Sequence, residues 1–347
     1  MGLGNSLQTA QAAAGGGGAG VGGWVELGRH TLGSTGDSLG IGSLLDKRYL
    51  MILSDLLPSG TIDGRITFNS DTGSNYAYRT SANGGADGTA VSQSDIKLFT
   101  TSASSNELFT VGYVSNLSGE EKLYIGNTFK SDGTGGADVP KRYEITAKWA
   151  NTSNAISDVS IDNAGAGDYA SGTEVVVLGW DPADTHTSNF WEELASVTLG
   201  SAGDTLDSGT ITAKKYLWVQ SFTIGTGGAT RSSYTMNSDT GSNYTYKYSV
   251  NGAGDSSGSS QAKMYFNDNS TGNTLTNTFI INNSANEKLA MSNTVKAITA
   301  GAGNAPAREE NVGKWVNTSS QITSIKLNNT GTGSFDTNSI IKVWGSD

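Results

Sequence analysis

The fold is decided by the stretch Asn69-Ser70-Asp71-Thr72-Gly73-Ser74-Asn75-Tyr76-Ala77-Tyr78-Arg79, because it recurs as Asn237-Ser238-Asp239-Thr240-Gly241-Ser242-Asn243-Tyr244-Thr245-Tyr246-Lys247. Each copy begins with a polar run of Asn, Ser, Asp and Gly, which is typical of a turn. It continues as alternating Tyr-x-Tyr, which predicts the start of a strand. The chain is therefore an internal duplication, and residues 69–75 and 237–243 are called the marker turns.

Other segments match in the same order in the two halves. They are short, alternate between apolar and polar residues and are separated by Gly-rich turns, with no helical pattern between them. The clearest matches are Lys47–Leu53 with Lys214–Gln220, Tyr143–Trp149 with Glu310–Trp315, and Glu174–Trp180 with Ile340–Trp344. About eight strands in each half predict an all-β chain of two tandem antiparallel β-sandwiches, of jelly-roll-like form, over residues 24–181 and 190–347.

Two further segments lie outside the predicted sandwiches. Residues 1–23 are rich in Gly and Ala and have almost no apolar side chains, so we expect a flexible arm that becomes ordered on a neighbouring subunit. Residues 182–189 form a short linker. The chain has 347 residues and no cysteine, so each sandwich must be stabilised by packing and hydrogen bonds alone.

Charge and hydropathy exclude several classes of partner. The net charge is -10 and no basic residues cluster, so we expect no nucleic-acid binding. No apolar run is long enough to span a membrane and no secretory signal is visible, which predicts a protein made in a cytoplasm with no membrane partner.

The chain has two histidines, His30 and His186, and neither recurs in the other half. We therefore expect that the chain is not an enzyme and that it has no catalytic residues and no cofactor.

The marker turns also suggest a calcium hypothesis. Oxygen-bearing side chains stand two residues apart at Asn69, Asp71 and Asn75, and again at Asn237, Asp239 and Asn243. This spacing resembles that of calcium-binding loops, but no Glu stands at the closing position. The favoured interpretation is a turn in which Asp and Asn bind their own backbone, with no metal.

The tyrosines after each marker turn offer a second candidate site. Tyr76 and Tyr78, like Tyr244 and Tyr246, share one face of a strand. They form a candidate platform for sugar rings, while packing in the core or at an edge of the sandwich is the favoured alternative.

The motifs resemble a family. Trp24-x-Glu26-Leu27, Thr31 to Asp37, Lys47 to Leu50 and Asn75 to Gly85 together resemble a domain of uncharacterised virion proteins of marine tailed bacteriophages. The resemblance covers both halves but not the arm. It implies a structural role in the particle and a location in the virion, not a reaction.

These observations leave two function hypotheses. The first is a capsid decoration, knob or head-fibre protein on the particle surface, held to other virion proteins by the arm and forming a homo-oligomer. The second is a tail-appendage adhesin that binds host-surface glycans. Decoration is favoured, because the sequence has neither the coiled-coil heptads nor the β-helix repeats of a fibre shaft.

Overall fold

A computed structural model describes residues 20–21, 23–99, 107–181, 185–186, 189–267, 270–297 and 306–347. These residues form strands and turns and contain no helix. Most of the predicted arm and of the predicted linker lies outside the described residues. The exceptions include β1 (Gly20–Val21) and β14 (Thr185–His186), which pair as antiparallel strands.

The first repeat contains twelve more strands. They are β2 (Val25–Thr31), β3 (Ser38–Ile41), β4 (Tyr49–Leu56), β5 (Gly64–Phe68), β6 (Tyr76–Ala82), β7 (Gly88–Gln93), β8 (Ile96–Lys97), β9 (Leu108–Ser115), β10 (Lys122–Lys130), β11 (Lys141–Trp149), β12 (Val159–Asn163) and β13 (Glu174–Trp180). Eight form a large sheet in the order β2-β13-β4-β9-β10-β11-β6-β7. The other four form a small sheet in the order β3-β12-β5-β8.

The second repeat has the same topology, so the duplication is confirmed strand by strand. Its strands are β15 (Glu192–Thr198), β16 (Thr205–Asp207), β17 (Tyr216–Thr223), β18 (Gly225–Thr226), β19 (Ser232–Met236), β20 (Tyr244–Val250), β21 (Ser256–Gln261), β22 (Met264–Tyr265), β23 (Asn273–Ile281), β24 (Lys288–Ala297), β25 (Ala307–Trp315), β26 (Ile325–Asn329), β27 (Ser334–Phe335) and β28 (Ile340–Ser346). The large sheet runs β15-β28-β17-β23-β24-β25-β20-β21 and the small sheet β16-β26-β19-β22, while β18 and β27 form a separate pair.

In each repeat the core lies between the large and the small sheet. In the first repeat, Ile52 of β4 and Val177 of β13 face Ile66 of β5 and Ile161 of β12 across this layer. Val219 and Leu327 belong to the matching core of the second repeat. The predicted all-β fold of two tandem antiparallel sandwiches is therefore confirmed, with four more main strands per repeat than the sequence indicated.

The described chain forms two compact units. The first consists of residues 1–81, 87–128 and 143–191, of which the structure describes the parts given above, and the second of residues 82–86, 129–142 and 192–347. Two short segments of the first repeat thus belong to the second unit. The predicted boundaries of independently folding domains, 24–181 and 190–347, remain a prediction.

Candidate functional site

Each marker turn connects the small sheet to the large sheet. In the first repeat the chain leaves β5 at Phe68, and the N–H of Asp71 donates to the carbonyl of Phe68 at 3.0 Å. The two residues between them, Asn69 and Ser70, have φ values of 53° and 54°. Asn tolerates this left-handed region better than most residues, which explains an Asn at the start of the turn. Asn237 and Ser238 repeat the conformation, with φ values of 52° and 57°.

The Asp71 carboxylate is occupied by donors from the protein itself. It accepts the N–H of Gly73 at 2.8 Å, the Nδ2 of Asn75 at 2.9 Å and the Nε1 of Trp149 at 2.7 Å. The first two bonds close the turn on itself. The third joins the turn to the end of β11, so the same carboxylate fixes the turn to the large sheet.

Asp239 makes the same contacts in the second repeat. Its carboxylate accepts the N–H of Gly241 at 2.8 Å, the Nδ2 of Asn243 at 2.9 Å and the Nε1 of Trp315 at 2.7 Å. The two copies therefore agree in donors as well as in sequence. Such agreement indicates that the duplicated residues were retained as one hydrogen-bonded unit.

These hydrogen bonds keep both carboxylates ionised. Burial by itself would raise the pKa of Asp71, but the hydrogen bonds from Trp149, Asn75 and the N–H of Gly73 outweigh it, and the pKa lies below its ordinary value. The pKa of Asp239 is lowered in the same way, with burial opposed by Trp315, Asn243 and Gly241. Each turn thus holds one charged carboxylate that is already bound by protein donors.

The first residue of each marker turn also binds the protein. The Oδ1 of Asn69 accepts the N–H groups of Ser157 and Asp158 at 2.7 and 3.0 Å, and its Nδ2 donates to the carbonyl of Ala155 at 2.9 Å. Asn237 makes the matching bonds to residues 321, 323 and 324. Among the described residues no group of three or more His, Cys, Asp or Glu side chains is placed to hold a metal.

The candidate sugar platform is corrected by the structure. Tyr76, Tyr244 and Tyr246 are buried, so their rings cannot stack on a sugar, and Tyr78 is only partly exposed. The hydroxyl of Tyr76 accepts the N–H of Phe68 at 2.9 Å and donates to the carbonyl of Asp71 at 3.1 Å. The physical reason is that β6 begins directly after the marker turn, and the face of β6 that carries Tyr76 packs against the core.

A buried lysine in each repeat was missed by the sequence analysis. Lys122, at the start of β10, is completely buried and donates to the carbonyls of Glu120 and Asn151 at 2.7 and 3.0 Å. Its Nζ also lies 6.0 Å from the centre of the Trp149 ring. Burial lowers the pKa of Lys122, opposed by the charges of Asp46 and Glu120.

Lys288 repeats this arrangement at the start of β24. It is completely buried, and its Nζ donates to the carbonyls of Asn286 and Asn317 at 2.6 and 2.7 Å and lies 6.0 Å from the centre of the Trp315 ring. The signal in the sequence was the repeated Glu-Lys-Leu at 121–123 and 287–289. Alternation places this Lys on the same face of the sheet as the buried Trp.

Comparisons with known proteins give no family. No protein-family model matches the sequence, and no curated protein matches it. Among solved structures, the LG1–3 region of the laminin α2 chain aligns at 9% identity with a TM-score of 0.22, covering 89% of this chain and 64% of the laminin chain. Domains LG4–5 of the mouse laminin α1 chain align at 10% identity with a TM-score of 0.20, covering 92% and 89%. Values this low support no inference about function.

No helix among the described residues has the length and apolar character needed to cross a bilayer.

Proposed function

We propose that this chain is a non-enzymatic structural protein of a tailed-bacteriophage virion, displayed on the particle surface as a decoration or knob. The observation that carries the proposal is the identity of the two marker turns. The carboxylates of Asp71 and Asp239 each accept hydrogen bonds from three matching donors. The duplication therefore retains contacts that hold two sheets together.

The resemblance to virion proteins supplies the context. Its motifs include Asn75 to Gly85, which covers β6, and Lys47 to Leu50, which leads into β4, and both strands belong to the large sheet. In this proposal residues 1–23 attach the chain to the particle. Ordering a Gly- and Ala-rich segment costs about 1–2 kcal/mol per residue, so we expect the segment to become ordered only when it binds a groove on a partner.

The adhesin hypothesis receives less support, because three of its four platform tyrosines are buried. A glycan array probed with the purified chain separates the two hypotheses. If the chain is a decoration protein, we expect that it binds no glycan on the array. A saturable glycan ligand would favour the adhesin.

The arm provides the direct test of attachment. Deleting residues 1–23 removes β1 and its pairing with β14, but it should leave both repeats folded, as judged by far-UV circular dichroism, and should remove the chain from purified particles. Incorporation of the truncated chain at the level of the full chain would contradict attachment by the arm.

A further inference from the structure

One apolar strip on the first repeat is open to solvent. Leu123 and Ile125 of β10 are 58% and 57% exposed. Beside them, the Nζ of Lys148 lies 2.9 Å from the Glu121 carboxylate, and these side chains are 45% and 41% exposed. Glu121, Leu123, Ile125 and Lys148 are called the open strip. These side chains lie together on one face of the large sheet, and a contiguous exposed apolar patch rimmed by polar groups is the kind of surface that protein contacts use.

The matching strip on the second repeat is covered. Leu289 and Met291 stand where the first repeat has Leu123 and Ile125, and they are 0% and 4% exposed. The ion pair is repeated at the same distance of 2.9 Å between Lys314 and Glu287, but here Lys314 is completely buried. Glu287, Leu289, Met291 and Lys314 are called the covered strip.

The cover consists of a Gly-rich segment within the second compact unit, residues 129–142. The N–H of Gly135 donates to the Oε1 of Glu287 at 2.6 Å, and the Nζ of Lys314 donates to the carbonyl of Gly133 at 2.9 Å. The segment thus binds both members of the ion pair through its backbone. This recognition depends on the ion pair and on the backbone of the loop, and the open strip carries the same ion pair.

A charged contact accompanies the cover. Arg142, only 4% exposed, donates to the Asp255 carboxylate at 2.7 Å and to Glu310 at 3.3 Å. The residue that matches Arg142 in the second repeat is Arg308, whose side chain is 61% exposed and contacts Glu310. The residue that matches Asp255 is Asp87, whose side chain is 48% exposed and pairs with Arg79 at 3.0 Å. The Arg and the Asp of this contact are therefore both present a second time, on open surface.

We propose that the open strip binds residues 297–306 of a second copy of this chain. This segment has the same place in the second repeat that residues 131–140 have in the first. Each runs from the residue after a buried lysine, Lys130 or Lys296, to a proline, Pro140 or Pro306, and each is rich in Gly. In the bound pair of copies, Arg308 of one lies against Asp87 of the other, as Arg142 lies against Asp255 within one chain.

The contact is heterologous, because it joins the second repeat of one copy to the first repeat of the next. Such contacts continue from copy to copy and produce either a ring or an open chain. The interface does not depend on a virion, so it can fail while the proposed function holds, and the reverse is also true.

Sedimentation velocity of the full chain over a range of concentrations tests the interface. The wild-type chain should form species larger than a monomer as its concentration rises. Replacing both apolar residues of the open strip, Leu123→Lys with Ile125→Lys, should raise the dissociation constant about tenfold or more, since each loses the burial of a large apolar side chain. The matched control is Leu45→Lys, at an exposed apolar residue of the loop before β4, which should not change association. A wild-type chain that is monomeric throughout, or a double variant that associates as the wild type does, would overturn the proposal.

A mixed disulfide identifies the two surfaces. The chain has no cysteine, so each introduced thiol is unique. A Glu121→Cys copy mixed with an Ala302→Cys copy should give a covalent dimer under mild oxidation. Leu45→Cys mixed with Ala302→Cys should give far less. Equal yields from the two mixtures would contradict the assignment of residues 297–306 as the bound segment.

Discussion

The indole Nε1 of Trp149 donates a 2.7 Å hydrogen bond to the Oδ2 of Asp71, 78 positions earlier in the chain. Trp315 and Asp239 repeat this bond at the same distance. In each repeat the bond joins the turn that leaves the small sheet to the last residue of a strand in the large sheet. A single carboxylate thus holds a local turn and a long-range contact together.

Removing this carboxylate should destabilise its repeat. Asp239→Ala leaves the buried Trp315 Nε1 without its acceptor and removes hydrogen bonds to a charged group, so we expect a loss of about 2 kcal/mol in the free energy of unfolding. Urea denaturation measures it. Glu192→Ala, at an exposed position of β15, is the control and should change stability by less than about 0.5 kcal/mol. A change at Asp239 no larger than the control would contradict the role of the bond.

Calcium should not be needed for stability. Each marker turn offers one carboxylate, and that carboxylate already accepts protein donors, so an ion would have to displace them. We expect the same melting temperature in EDTA and in calcium chloride. A rise of many degrees in calcium, lost in the variant that combines Asp71→Ala with Asp239→Ala, would identify a metal site.

Acid should weaken both marker turns. Because the folded-state pKa values of Asp71 and Asp239 are lowered, their contribution to stability is complete above the unfolded-state pKa of about 3.9 and is lost as the pH falls through the folded-state pKa. The stability difference between the wild type and the variant carrying Asp71→Asn and Asp239→Asn should be constant above about pH 5 and should shrink below about pH 4. Chemical denaturation at a series of pH values measures it. A difference that persists unchanged into acid would exclude the ionised carboxylates as its source.

The buried lysines should be needed for folding stability. Lys288→Met keeps the length of the side chain but leaves the carbonyls of Asn286 and Asn317 without this donor, at a cost of about 1–3 kcal/mol. Lys326→Met, at a partly exposed lysine of β26 in the same repeat, is the control and should have a small effect. If Lys288→Met melts at the wild-type temperature, the ammonium does not hold these loops together.

The sequence predicts the sandwiches well where strands are apolar and poorly where they are polar. Glu174–Trp180 is predicted and observed with the same bounds, because an uninterrupted apolar run bounded by turns has few alternatives. β7 (Gly88–Gln93) and β21 (Ser256–Gln261) were not predicted. They lie at the edges of the large sheets and are mostly exposed, so no apolar alternation marks them.

The candidate site was likewise predicted only in part. The turn chemistry of Asn69 to Asn75 is local, so the residue types predict it. The bond from Trp149 is not local, and no spacing indicates which of the seven Trp residues meets the turn. The difference between the open and the covered strip cannot be predicted from the sequence either. Both strips contain the same Glu-Lys-Leu sequence, at 121–123 and at 287–289.

We propose above all that this chain is a surface component of a virion, and a cryo-EM map of virions purified from cells that express the chain is the decisive experiment. We expect density for two sandwiches of matching topology on the outside of the particle, joined to it through residues 1–23. Virions that lack the chain, or a map that places it away from the outer surface, would overturn this proposal.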